Sequence, residues 1–285
     1  MGYLSLVCFL ATSLPSLSAL SGDLALHDPS MILRPSSGNP KYLIYSSHEG
    51  LMAHQSSDRI SWKRNSAAFP NGINWVTEYT QDRNNKALWH PTFPFMTTTI
   101  GVATSTTGLP GSFTDQGKVI VSNSSVIYNC IDPNLLVDAS GKWWLQFGSF
   151  YAGIYQVELS PSTGKVKSGA TPKRIASRPA SDSPANAIEA PHLTEKAPIT
   201  TCSYHLTIAA KVGPFVDKSG KQMLNGGGTQ ILATSGDRIG PGGQSVLADG
   251  GTDRLIHHYY DKSENGLAKL GVRTITWTSD GWLTV

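Results

Sequence analysis

The chain has 285 residues, of which 39% are hydrophobic and 15% are charged, a composition of one large or two small globular domains. This composition excludes an intrinsically disordered chain. The formal net charge is +3, and the 23 Lys and Arg residues are scattered rather than clustered, which excludes a basic nucleic-acid-binding stripe.

The first segment, residues 1–18, is apolar from Tyr3 to Leu14 and is followed by small residues near Ala19. It is too short to span a bilayer, and it is typical of a secretory signal, although no Lys or Arg precedes the apolar run. We therefore predict a signal peptide over residues 1–18 and a single domain over residues 19–285. A buried first strand is the alternative.

Cysteine usage says little about the fold. Removal of residues 1–18 would leave Cys130 and Cys202, which are as consistent with two core thiols as with a disulfide. The sequon at Asn123 fits a secreted glycoprotein but is a weak signal.

The elements that follow are short β-rich runs, and helical periodicity is almost absent. Clusters of Gly, Asn, Asp, Ser and Pro separate these runs, which is an all-β pattern. In chain order the runs include KYLIYSS, GKVIVS, NLLVD, KWWLQFGSF, GIYQVEL, YHLTIAA, RLIHHYYD and LGVRTITW.

A repeat lies within these strands. Residues 27–46 and 131–149 both open with Asp-Pro, continue through apolar positions and a turn, and end in an aromatic strand followed by Ser. A third opening, IEAPHL at 188–193, carries Glu189, and weaker relatives occur at 88–93 and 240–249. Five openings at intervals of about 40–65 residues predict a five-bladed β-propeller whose innermost strands begin around one axis.

This arrangement would bring Asp28, Asp132 and Glu189 together, although they are far apart in sequence. Two carboxyl groups in opposite protonation states perform glycoside hydrolysis, and a third negative charge nearby raises the pKa of the acid. Metal binding is the alternative use of three carboxylates, but these openings do not have the ligand spacing of a cation site.

The chain also resembles a known family. The motifs HDPS, YNCIDPNLL, FGSFYAGIYQVEL, AIEAP, GPFVDKSG, GPGGQSV and HHYYD look like those of the endo-1,5-α-L-arabinanases of glycoside hydrolase family 43. They occur in the family's order from about residue 26 to Trp282. The resemblance implies a five-bladed propeller and an inverting hydrolase that acts on arabinan, the polysaccharide of pectin side chains.

The resemblance also implies residue roles. Asp28 resembles the general base, Glu189 the general acid, and Asp132 the residue that tunes the acid's pKa and orients the sugar. His258 resembles the residue that holds a calcium or similar ion through water.

Four further residues are candidates for substrate binding. We expect Ser149 and Asn129 to hydrogen-bond to the sugar. Trp89 and Phe150 could form apolar walls for the sugar rings, and core packing is an equal alternative for both.

The chain departs from the family in two places. Residues 88–105 retain Trp89 but lack the expected acid and a Tyr-rich strand, and the stretch after 189–193 lacks an aromatic strand. We therefore expect the second and fourth blades to be incomplete.

The predicted function is a secreted, extracellular and monomeric arabinanase with no membrane or nucleic-acid partner. Two alternatives remain. One is another activity of the same family, such as an exo-acting arabinofuranosidase or a xylosidase. The other is a carbohydrate-binding propeller that has lost turnover.

Overall fold

The computed structural model describes residues 19–35, 38–79, 86, 88, 97–178, 187–194, 198–202, 205–208 and 215–285. These residues form β-strands joined by turns, with three short 3-10 helices at Asn74–Glu78, Met223–Asn225 and Lys262–Glu264. The predicted all-β class is therefore confirmed. No helix in the described part of the chain has the length and apolar character needed to cross a membrane.

The strands are named in chain order. They are β1 (Ser21–Gly22), β2 (Ser30–Leu33), β3 (Tyr42–Ser46), β4 (Met52–Ser56), β5 (Ser61–Ala67), β6 (Thr98–Thr104), β7 (Thr114–Ser122), β8 (Asn134–Val137), β9 (Trp143–Phe147), β10 (Ile154–Leu159), β11 (Lys173–Ala176), β12 (Ile188–Leu193), β13 (Pro198–Cys202), β14 (His205–Ile208), β15 (Thr229–Leu232), β16 (Arg238–Asp249), β17 (Thr252–Asp261), β18 (Leu267–Thr274), β19 (Thr276–Trp277) and β20 (Leu283–Thr284).

The strands form sheets that follow one another along the chain. The hydrogen-bonded orders are β1-β5-β4-β3-β2, β6-β7, β11-β10-β9-β8, β12-β13-β14-β15, β16-β17-β18 and β19-β20. Apart from the parallel pair of β1 with β5, the neighbouring strands within each sheet are antiparallel. Antiparallel neighbours need only short turns, which the Gly- and Pro-rich sequence supplies.

The N-terminal segment joins the first sheet to the sheet of β16–β18. Strand β1 pairs with β5, and Leu26 then donates a backbone hydrogen bond of 3.0 Å to Ala268 in β18. Leu270 donates one of 2.9 Å to Leu24. Between these two sheets lies an apolar core that includes Met31, Tyr42, Trp62, Ile256 and Leu270. Both ends of the described chain therefore contribute to one packed unit.

The first strands of four sheets are linked by side-chain hydrogen bonds. Ser245 in β16 donates a bond of 2.9 Å to the carbonyl of Pro29, and the backbone N–H of Val246 donates to His192 Nε2 in β12 at 3.1 Å. Leu193 in β12 donates a backbone bond of 2.8 Å to Asn134 Oδ1 in β8. These bonds fix β2, β16, β12 and β8 relative to one another.

The two expected gaps have different outcomes. The sheet that begins at β12 contains four strands, so the expectation of a missing strand there is wrong. Its second strand lacks the expected aromatic residues, but the Ile- and Thr-rich sequence of β13 is suited to an extended backbone and pairs with β14 from Ile199↔Ile208 to Cys202↔His205. The sheet of β6 and β7 has two described strands, and residues 80–85, 87 and 89–96 lie outside the described part of the chain. The expected incompleteness there stays a prediction.

Cys130 is a free thiol with no exposed surface. Burial raises its pKa to about 12, so the group stays a neutral thiol at physiological pH. It belongs to the apolar core around Phe147 and Val157. Of the two readings of the cysteines, the structure supports a core thiol at this position.

Candidate active site

Four residues, two just before strands β2 and β8 and two within β12 and β16, share an uncommon backbone conformation. Asp28, Asp132 and Ala190 have φ values of 48°, 53° and 48°, and each precedes a proline; Gly243 has φ 55°. A left-handed conformation costs about 1–2 kcal/mol for a residue with a Cβ atom, so three such residues at matching positions indicate a common local structure. The sequence repeat is therefore real. Glu189, however, lies one residue before the position that Asp28 and Asp132 occupy.

Gly243 leaves room for the carboxylate of Asp28. A Cβ atom at this position would lie 2.0 Å from Asp28 Oδ1 and 2.7 Å from His258 Nδ1. Any residue with a Cβ atom at position 243 would meet the Asp28 carboxylate, which His27 and His258 hold in place. The sequence motif GPGGQSV contains this glycine, but the pattern alone did not assign it a role.

Asp28 is flanked by two imidazoles. His27 Nδ1 lies 2.6 Å from Asp28 Oδ2, and His258 Nδ1 lies 3.3 Å from Asp28 Oδ1. The same Nδ1 of His258 lies 3.1 Å from the backbone nitrogen of Asp28, and it can hydrogen-bond to only one of these two groups at a time. Burial alone would raise the pKa of Asp28, but the contacts with His258 and His27 outweigh it and hold the pKa well below its usual range. The Asp28 carboxyl is therefore an anion at any ordinary pH.

His27 is itself held in place by neighbouring groups. Its Nε2 lies 2.8 Å from the hydroxyl of Tyr260, and its ring stacks on that of His258 with centroids 3.9 Å apart. Ser47 donates a hydrogen bond of 3.2 Å to the His27 carbonyl. Sequence reasoning did not assign His27 or Tyr260 to the site, although both lie in the quoted motifs HDPS and HHYYD.

Glu189 has a different environment. It lies in β12, half-buried, and the hydroxyl of Ser149 donates a hydrogen bond of 3.1 Å to its Oε2. Burial raises the pKa of Glu189; the Ser149 bond opposes this effect, the charge of Asp28 raises the pKa, and His27 lowers it. The net shift is upward, so this carboxyl retains its proton at higher pH than an ordinary glutamate.

Asp132 acts on the backbone beside Glu189. Its Oδ2 accepts a hydrogen bond of 2.9 Å from the N–H of Ala190, whose carbonyl accepts one from the Gln244 side chain. The charge that raises the pKa of Glu189 is that of Asp28, whereas Asp132 holds the adjacent residue in its left-handed conformation. The predicted tuning of the acid's pKa by Asp132 stays a prediction.

The predicted binding residues are placed unevenly. Ser149 contacts Glu189, as expected of a site residue. Phe150 follows it with φ 51° and donates a backbone hydrogen bond of 2.9 Å to Ile188, beside the acid. Asn129 accepts a hydrogen bond of 2.8 Å from Thr98, and no described contact joins it to the three acids. Trp89 lies outside the described residues.

The metal prediction can be tested against the donor atoms. One ligand atom from each of His27, Asp28 and His258 lies within 4.8 Å of the others. Calcium prefers six to eight oxygen ligands, and this group offers one carboxylate and two imidazoles. The group does not fit a calcium ion that the protein binds directly, and no chemical step is assigned to such an ion. An ion held at His258 through water stays a prediction.

The arrangement therefore combines an anionic carboxylate, Asp28, with a carboxyl whose pKa is raised, Glu189. Such a pair can supply a general base and a general acid on two sides of one reacting bond. Sequence reasoning identified both residues, and the structure adds the groups that separate their pKa values.

Comparisons with known proteins agree with this geometry. The sequence profile of the glycosyl hydrolases family 43 matches residues 22–283. The chain is 33% identical to the extracellular endo-α-(1→5)-L-arabinanase 1 of Bacillus subtilis strain 168, over 90% of this chain and 86% of that protein.

Solved structures show the same relationship. A family 43 endo-arabinanase from Bacillus licheniformis superposes with a TM-score of 0.81 at 30% identity, covering 94% of this chain and 99% of that one. An exo-1,5-α-L-arabinanase from a bovine ruminal metagenomic library superposes with a TM-score of 0.79 at 29% identity, covering 93% of this chain and 99% of that one. The chain therefore belongs to family 43 of the glycosyl hydrolases.

Proposed function

We propose that this protein is a secreted endo-1,5-α-L-arabinanase that cleaves arabinan, the side-chain polysaccharide of pectin, with inversion at the anomeric carbon. The observation that carries the proposal is the opposite pKa shift of Asp28 and Glu189. Family membership and the endo-arabinanase name of the Bacillus subtilis relative support the substrate. The extracellular name of that relative and the apolar residues 1–18 support secretion.

The mechanism follows from these protonation states. Glu189 donates its proton to the glycosidic oxygen as the bond to the leaving sugar breaks. The Asp28 carboxylate accepts a proton from a water molecule as that water attacks the anomeric carbon from the opposite face. We expect their carboxyl groups to stand about 6.5–9.5 Å apart, the separation that leaves room for one water.

The supporting residues then have distinct tasks. Ser149 and Asp132 position Glu189, directly and through Ala190. We expect Phe150, Asn129 and Trp89 to contact the sugar rings. We propose that the sheets form a five-bladed propeller, a fold that the superposition on a family 43 arabinanase supports, and that the protein is a monomer.

The experiment follows the hydrolysis of linear arabinan in two readouts. Early release of mixed oligosaccharides supports endo cleavage, whereas accumulation of one short product from the start would favour the exo alternative that the metagenomic relative represents. Proton NMR of fresh products should show the anomer opposite to that of the substrate. Retention of configuration would refute the assignment of Asp28 as base.

A binding module is the contrasting outcome. Binding of linear arabinan without any hydrolysis, under conditions where the protein is folded, would show that the acids no longer turn over substrate. The carboxyl groups have opposite pKa shifts, which a site used only for binding a neutral polysaccharide would not need.

A further inference from the structure

A cleft of about 580 Å³ lies beside the outer edge of β18. Among the described residues, the N-terminal segment pairs with β18 at residues 268–270 and no strand pairs with the edge beyond Leu270, which forms one wall of the cleft. Asp28, Asp132 and Glu189 do not line this cleft. It is therefore separate from the candidate active site.

Arginines from four different elements line the cleft: Arg59 from the β4–β5 turn, Arg238 from β16, Arg254 from β17 and Arg273 from β18. Arg59 is neutralised by Asp249, with Nη1 and Oδ2 2.6 Å apart. The other three form no ion pair with any described residue.

Neutral groups lie beside two of these arginines, Arg238 and Arg254. Arg254 donates from Nη1 to the hydroxyl of Thr274, and the guanidinium of Arg238 lies 5.1 Å from the centroid of the Tyr259 ring. Asp58 is an acid that lines the cleft, but its Oδ1 accepts hydrogen bonds of 2.8 Å from the N–H groups of Ile60 and Ser61 within its own turn. The cleft thus carries an excess of positive charge.

Two of the guanidinium groups also have unsatisfied donors. The Nε atoms of Arg254 and Arg273 are buried and have no hydrogen-bond partner. Burial lowers the pKa of Arg273, and the charge of Arg238 lowers it further. The two Nε atoms have almost no exposed surface, so the attraction of the cleft for an anion rests on the other atoms of the arginine side chains that line it.

The other walls indicate what kind of anion fits. Arginine presents paired donors that match a carboxylate or a phosphate. Tyr259 and the apolar side chains of Leu20, Leu24 and Val272 also line the cleft, which suits the face of a sugar ring better than a bare ion. A volume of this size is that of a small-molecule site.

We propose that this cleft binds an acidic oligosaccharide through the carboxylates of its uronic-acid residues. The inference that the cleft binds an anion depends only on the arginines. The choice of a uronate rests on the proposed function, because pectin joins arabinan side chains to a backbone rich in galacturonic acid. Binding there would hold the enzyme on the polymer that carries its substrate.

The test is calorimetric titration with an oligogalacturonate, its fully methyl-esterified form and inorganic phosphate. The variants are Arg238→Gln/Arg273→Gln and the single Arg238→Glu, which changes an exposed side chain and leaves the half-buried Arg273 in place. The control, Lys173→Gln/Arg174→Gln in β11, removes the same number of charges from exposed positions. Thermal melts establish that each variant is folded.

We expect the wild type and the control to bind oligogalacturonate, with weakening at high salt, and both cleft variants to lose at least tenfold in affinity. The hydrolysis of linear arabinan should be unchanged in all of them. Equal binding of the methyl ester, equal affinity for phosphate, or an equal loss in the control would overturn the proposal. Oligogalacturonate binding without arabinan hydrolysis would instead count against the proposed function alone.

Discussion

The carboxyl groups of Asp28 and Glu189 lie in similarly buried places and are driven in opposite directions. Burial acts on both in the same sense, raising the pKa. Asp28 has an imidazole at each oxygen, whereas Glu189 has one hydroxyl and the negative charge of Asp28 as a neighbour.

The difference shows that hydrogen-bond partners, rather than depth, determine the two roles. Two ring nitrogens are enough to reverse the effect of burial at Asp28, while the single hydroxyl of Ser149 is not enough at Glu189. The anion formed at Asp28 then helps to keep the proton on Glu189. The ionised Asp28 therefore supports the function of Glu189 as an acid.

The largest effect is expected from Glu189→Gln, which keeps the shape of the side chain and removes its transferable proton. General acid catalysis contributes about 10²–10⁴-fold, so turnover on arabinan should fall by at least that factor while the Kd for substrate changes little. Steady-state rates and calorimetric binding measure the two quantities. A variant with near-normal turnover would exclude Glu189 as the acid.

Gly243→Ala should produce the next largest effect, because the new Cβ atom would displace the Asp28 carboxylate. A displacement of about 1 Å in a catalytic group can cost about 10²-fold, and we expect kcat/KM to fall by that order. Gly141→Ala is the matched control: Gly141 also has a positive φ, of 79°, but nothing lies within 4 Å of its added Cβ. Similar losses in both variants would show that backbone strain, and not contact with Asp28, is responsible.

His27→Phe tests the low pKa of Asp28. The change retains a ring that can stack on His258 and removes the contact with Asp28 Oδ2. The pKa of Asp28 should rise, and because this group must be ionised to act as base, activity should be lost at a higher pH on acidification. The acid limb of the kcat/KM profile measures the shift. An unmoved acid limb would separate His27 from the base.

Ser149→Ala should give the smallest change, and this change should appear in the alkaline limb of the pH profile of kcat/KM. The Ser149 hydrogen bond lowers the pKa of Glu189, so its loss should raise that pKa further. Activity falls as the pH rises through the pKa of the acid, and the alkaline limb should therefore move to higher pH. A shift to lower pH would mean that Ser149 favours the protonated form of Glu189.

Much of this comparison could be predicted from the sequence. The Asp-Pro openings identified Asp28 and Asp132 because a proline after an acid at the start of an apolar strand is a local pattern, and the structure gives both the same left-handed φ. Glu189 fits the pattern with an offset of one residue. Its position relative to Asp28 depends on hydrogen bonds between sheets, such as that from Ser245 to Pro29, which no local pattern encodes.

The missed features have the same cause. Gly243 and Tyr260 act on residues more than 200 positions away, so their roles appear only when the first sheet and the sheet of β16–β18 are packed together. The expectation of a missing strand at β13 was wrong because it assumed that only an aromatic strand could complete the sheet. Backbone pairing with β14 needs only extended residues, and the Thr and Ile of β13 provide them.

The central claim is that Glu189 supplies a proton and Asp28 activates water, and the leaving group tests it most directly. In a dinitrophenyl glycoside of an arabino-oligosaccharide, the dinitrophenolate leaving group departs without protonation. Glu189→Gln should therefore hydrolyse this substrate at a rate close to that of the wild type. Asp28→Asn should remain inactive on it, because water still needs a base. Recovery by Asp28→Asn, or none by Glu189→Gln, would contradict the assignment of the two carboxyls.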